Sequence, residues 1–144
     1  MDQELIKVYL AGIWDADGCF GIAKRCGRWE SFQPFASIGL ADPKAEIIFG
    51  LLKEGFGFVH LYTWNRQDKN PNHKRVYRWG ISSQRACNFA RQMEPYLIIK
   101  KERAQILIEW PKIENKLSFN ARIPIHQKQK ELFERMRILN HRGN

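Results

Sequence analysis

Ahead of Gly18 the chain has helical spacing. Leu5, Tyr9 and Ile13 share one stripe, while Val8, Gly12 and Ala16 share another made of small residues, which lets a second backbone come close. At Gly18, which can end the helix in the left-handed conformation, the period changes to alternation. Phe20 and Ile22 fall on one side of a strand, with Cys19, Gly21, Ala23 and Arg25 on the other. Cys26-Gly27-Arg28 reads as a hairpin tip. A second strand then runs from about Phe32 to Leu40, where Ala36, Ile38 and Leu40 oppose Gln33, Phe35, Ser37 and Gly39. Pro34 implies an edge or the start of that strand.

Asp42-Pro43 predicts a helix start, with Ala45, Ile48, Phe49 and Leu52 inward and Gly55 as the stop. A third strand, about 57–64, puts Val59 and Leu61 inward and His60, Tyr62 and Trp64 on the opposite face. A polar loop from Arg66 to Lys74 leads to a fourth strand, in which Tyr77, Trp79 and Ile81 alternate with Val76, Arg78 and Gly80. Ser82 or Ser83 can cap a helix whose stripe is Ala86, Phe89, Ala90 and Met93. Helices are also expected from Leu97 to Trp110 and from His126 to Asn140, with 112–124 irregular between them. The order predicts one α+β domain over 1–144 with an αββαββα core at about 3–110. Its four-stranded antiparallel sheet is covered by helices on one face only, and a helical extension occupies about 111–144.

The free sheet face would carry Arg25, Gln33, Ser37, His60, Tyr62, Trp64 and Arg78, which are donors, acceptors and aromatics. A ribbon of strands fits the major groove, where arginine reads guanine and glutamine reads adenine. A net charge of +9 points to a polyanion, with Arg28, Arg66, Lys74 and Arg75 as further phosphate contacts. No long apolar run suggests a membrane partner. Three cysteines, at spacings that suit neither zinc nor a disulfide framework, fit a reducing intracellular setting. The first residues carry no targeting pattern, which leaves the cytoplasm or an organelle matrix.

Two carboxylates, Asp15 and Asp17, sit where the first helix must end. Acids there cost stability unless something positive binds them, and a divalent cation is the obvious candidate. The stretch Leu10-Ala11-Gly12-Ile13-Trp14-Asp15-Ala16-Asp17-Gly18 resembles the signature of the LAGLIDADG homing endonucleases. Seven of nine positions match, with Ile13 and Trp14 in place of leucine and isoleucine. The resemblance covers about the first 110 residues.

What the resemblance implies is a homodimeric enzyme, since the signature occurs once. Val8, Gly12, Asp15 and Ala16 would lie at the interface between signature helices, and the target duplex would be palindromic or pseudo-palindromic. Two copies of Asp17 would meet and hold Mg²⁺, with Mn²⁺ as a substitute and the Ala16 carbonyl as a further ligand. Lys100 would orient solvent or stabilise phosphate charge. Double-strand cleavage across the minor groove would leave short 3′ overhangs, and the gene would lie in an intron or intein. At the position where relatives often carry a polar solvent-positioning residue this chain has Leu40. The alternative is a non-catalytic binder on the same fold, either an RNA-splicing maturase or a DNA-binding regulator.

Overall fold

The computed structural model describes residues 2–57, 76–112 and 117–141, and the backbone of 61–64. Helix α1 (Gln3–Asp17) begins where the Asp2 carboxylate accepts the Glu4 N–H at 3.0 Å, a side-chain cap for an otherwise unpaired donor. Its buried stripe is Ile6, Leu10, Ala11 and Trp14, and of the two stripes singled out from the sequence only Ile13 packs against the core. Strands β1 (Gly18–Cys26) and β2 (Glu30–Leu40) form an antiparallel hairpin, in register from Gly18 opposite Ile38 to Cys26 opposite Glu30.

The left-handed helix stop expected at Gly18 is not found. The residue is extended (φ −77°, ψ 164°), and the helix passes directly into β1. Glycine is needed there for space, because a Cβ would collide with the Trp14 indole. Helix α2 (Ala45–Phe56) follows a turn in which the Asp42 carboxylate accepts the Lys44 N–H at 2.7 Å. The helix runs past Gly55 and stops at Gly57, which is left-handed at φ 72°. Gly55 instead permits the close approach of α1, since a Cβ there would press on the Ile6 side chain.

Strands β3 (Leu61–Trp64) and β4 (Val76–Ser82) complete a four-stranded antiparallel sheet in the order β1-β2-β4-β3. Pro34 is thus in an inner strand, tolerated because it opposes Ile22 while Ser83 N–H reaches its carbonyl at 2.8 Å. Helix α3 (Gln84–Met93) starts from Ser83, the one described non-glycine residue with positive φ (58°, with ψ −139°), a conformation costing about 1–3 kcal/mol. Its hydroxyl does not cap α3 and points elsewhere.

Helix α4 (Lys101–Ile108) starts four residues later than the spacing suggests, because 97–100 are held against the end of α1. Helix α5 (Phe119–His141) starts seven residues earlier than expected and contains Pro124. Ser118 nucleates it, accepting the Ala121 N–H on its hydroxyl and the Arg122 N–H on its carbonyl. Pro124 lies in the second turn of this helix and has no N–H to give to the ladder.

The helices pack on one sheet face, where Phe20, Ile22, Ala36, Ile38, Trp79 and Ile81 are buried. Trp14 is the hub of this core. Its ring centroid lies 4.8 Å from Phe89, 5.5 Å from Phe20 and 5.9 Å from Trp79, in tilted or edge-on geometries that suit aromatic quadrupoles.

Candidate active site

The end of α1 is tied to the segment leading into α4 by a reciprocal latch. The Asp15 carboxylate accepts the backbone N–H of Ile98 at 2.9 Å and of Lys100 at 3.0 Å. In return the Lys100 ammonium donates to the carbonyls of Trp14 (2.9 Å) and Asp15 (3.0 Å). A helix C-terminus carries partial negative charge, and Lys100 is the cation that answers it. Of the two acids at this helix end, the chain itself therefore accommodates Asp15. Burial first, and then the Arg103 charge, pull Lys100 below the usual lysine range against the upward pull of Cys19, Asp15 and Asp17. Arg103 is itself held by α5, donating to the Asn140 side chain (2.8 Å) and the Leu139 carbonyl (3.0 Å).

Lys100→Met is expected to cost about 2 kcal/mol in urea unfolding, from charged hydrogen bonds lost at a half-buried site. Asp15→Ala is expected to cost a similar amount. The double variant should fall well short of the sum, because the two act as one unit.

Asp17 and Ala16 stand exposed beside this latch. Val8 and Gly12 are exposed on the same helix, and a Cβ on Gly12 would meet nothing within 4 Å of its own chain. Leu5 (60% exposed), Tyr9 (53%) and Val8 (49%) extend this uncovered apolar flank, and Ile98 and Ile99 are exposed just beyond Asp15.

On the sheet face away from the helices, Arg25 and Arg78 are exposed and Gln33 and Ser37 half-buried. Gly21 and Phe35 share that face. The Phe35 ring lies where a Cβ on Gly21 would stand. In the register Tyr62 opposes Arg78 and Trp64 opposes Val76. Arg28 is exposed at the hairpin turn. His60, Arg66, Lys74 and Arg75 lie outside the described residues. Leu40 belongs to the helix-covered side, packed against the core, and the strand position turned outward beside it is Gly39.

No protein-family model matches this chain, and no curated protein does. Solved structures do match. The homing endonuclease I-CvuI, in complex with its target in the presence of calcium, superposes with a TM-score of 0.69 at 15% identity, over 95% of this chain and 83% of that one. The LAGLIDADG homing endonuclease I-GzeII, in complex with a DNA target, gives 0.67 at 17% identity over 90% of this chain and 44% of that one. The fold is that of the LAGLIDADG homing endonucleases. The group I intron-encoded homing endonuclease I-CeuI, complexed with DNA, gives 0.66 at 12% identity over 92% of this chain and 66% of that one. The match to I-CvuI covers 95% of this chain, more than the first 110 residues that carry the sequence resemblance.

Within that fold, sequence reasoning missed two features. The Arg103–Asn140 contact joins residues 37 apart and leaves no local signal. The other is a hydrogen-bonded chain on the free sheet face, from Arg25 through Gln33 to Ser83.

Proposed function

We propose that this chain is a LAGLIDADG homing endonuclease: a homodimeric, divalent-metal-dependent enzyme that cuts both strands of a palindromic or pseudo-palindromic DNA site inside the cell. The observation that carries this reading is the uncovered flank of α1, apolar and open at Gly12, ending in the exposed Asp17. Two such flanks packed about a two-fold axis bury Leu5, Val8 and Tyr9 and bring the two Asp17 carboxylates together.

Among the described residues, no three Asp, Glu, His or Cys side chains of one chain converge on a metal position. One chain supplies half a site. Lys100 occupies the carbonyls of Trp14 and Asp15, and the next carbonyl, of Ala16, adjoins Asp17. Asp17 and the Ala16 carbonyl are hard oxygen ligands that suit Mg²⁺ or Mn²⁺, and the same pair from the partner completes the set. When bound, such an ion polarises phosphate oxygens and lowers the pKa of water. The residues of the chain do the rest. The free sheet face, with Arg25, Ser37, Tyr62 and Arg78, holds the duplex. Lys100, fixed by the latch, places a positive charge next to the scissile phosphate. Asp15 positions Lys100 and does not touch substrate.

The free thiols of Cys19, Cys26 and Cys87 suit a reducing compartment. Among the described residues no helix is long and apolar enough to cross a membrane.

The reading is tested by incubating the protein with a randomised duplex library and Mg²⁺ and sequencing the ends. Recurrent double-strand ends support it. Specific binding without ends in Mg²⁺ or Mn²⁺ leaves the maturase or regulator alternative. Gly12→Arg is expected to convert the dimer to a monomer in sedimentation velocity and to abolish cleavage, because a long charged side chain then occupies the flank that two helices must share.

A further inference from the structure

The sequence placed Gln33 on the free sheet face, where a glutamine can read adenine, and in the structure its amide is engaged on both sides by other residues of the chain. Arg25 Nη2 donates to Gln33 Oε1 at 2.7 Å, and Gln33 Nε2 donates to Ser83 Oγ at 3.0 Å. An arginine carries only donors, so the amide oxygen must face it and the amide nitrogen must face Ser83. Both ends of the Gln33 amide, the ends that a bidentate adenine contact requires, are thus engaged within the protein.

The three residues come from three different places. Arg25 opposes Ser31 near the far end of β1, Gln33 opposes Ala23 on β2, and Ser83 follows β4. Ser83 is anchored at this spot by its N–H bond to the Pro34 carbonyl, next to Gln33, and is held in a backbone conformation that serine rarely adopts. Its hydroxyl gives no cap to α3. The strained residue is therefore committed to Gln33, and Gln33 to Arg25.

We infer that Arg25 is a guanine-reading residue, and that Gln33 and Ser83 are positioning residues that hold its guanidinium in the reading orientation. This rests on the nuclease reading above and names part of its substrate preference. One of the five N–H groups of Arg25 goes to Gln33, and the others meet no acceptor among the described residues. A guanidinium oriented by one fixed bond offers its remaining edge as a fork, which matches N7 and O6 of guanine in the major groove. Arg25 is eight residues beyond Asp17 along an extended strand, about 26 Å at the rise of a β-strand, or about 8 base pairs of duplex. The guanine is therefore expected well outside the cleavage position, once in each half-site.

The test is binding selection of the full chain on a duplex library randomised across both half-sites, in Ca²⁺ so that bound duplexes are recovered whole. The wild type is expected to enrich guanine about 8 base pairs from the centre. Arg25→Ala should lower that preference by roughly 5- to 150-fold. Gln33→Leu and Ser83→Ala should weaken it at that same position and at no other. Gln33→Glu, which keeps an acceptor for the guanidinium, should restore it. Thermal melts check that each variant folds, and Ser83→Ala carries the comparison if Gln33→Leu does not. Loss of an adenine at a different position in Gln33→Leu, with the guanine intact, would overturn the inference and make Gln33 a reader. Selection of a site that Arg25→Ala leaves unchanged would overturn it while sparing the nuclease reading. Enrichment of no sequence by the wild type would overturn both.

Discussion

Asp17→Asn is expected to lower DNA cleavage by about 10³-fold while target binding persists. The substitution keeps the size and shape of an exposed side chain at the end of α1, so folding and the sheet face are left alone. What it removes is the negative charge that a hard cation requires. In a homodimer both copies change together, which doubles the loss at the shared site. The measurement is a time course on a supercoiled plasmid carrying the selected target, with fluorescence anisotropy on the same duplex. Cleavage at the wild-type rate would remove Asp17 from the chemistry. Loss of binding in parallel with cleavage would mean that the residue acts through the fold.

Trp14→Ala is expected to have the largest effect on stability, about 3–5 kcal/mol, a large part of what a domain of this size possesses. Trp14 is 1% exposed and meets Phe20, Phe89 and Trp79 at once. It also fills the space that Gly18 leaves, so truncation opens a void that neither α1 nor β1 can close alone. Urea unfolding followed by far-ultraviolet circular dichroism gives the value, and Trp14→Phe should lose much less. A loss below 1 kcal/mol for the alanine variant would show that the aromatic cluster is not the centre of the core.

Trp14 is also one of the two departures from the signature sequence, and its partners explain it. A residue of this bulk is accepted because Gly18 and the ring of Phe89 receive it. The sequence carried this information only in part. Alternation around Phe20, Ile22, Ile38, Trp79 and Ile81 predicted the covered sheet face, because a strand buried on one side must repeat every two residues. The stripes read on α1 were, apart from Ile13, the exposed ones. Its core face of Ile6, Leu10, Ala11 and Trp14 includes an alanine and a tryptophan, whose weight in a helical pattern is ambiguous.

Boundaries went astray where tertiary bonds decide them. Residues 97–100 have helical spacing, yet the Asp15 carboxylate holds the N–H groups of Ile98 and Lys100 and delays α4. The stretch 112–124 read as irregular, yet Ser118 caps α5, which runs on through Pro124. At the candidate site, Asp17 and Lys100 were singled out by the motif resemblance, and the structure places Asp17 exposed at the end of α1 with Lys100 bonded to that same helix end. The bonds from Arg25 through Gln33 to Ser83 depend on strand register, which no local spacing contains.

The conformation of Ser83 bears on any attempt to harden this protein by directed evolution. A selection for heat tolerance should find Ser83→Gly early, because glycine is at ease at φ 58°. On the proposed nuclease reading, such a winner is expected to survive higher temperatures and to cut a wider assortment of sequences, so robustness and fidelity would be traded at a single codon.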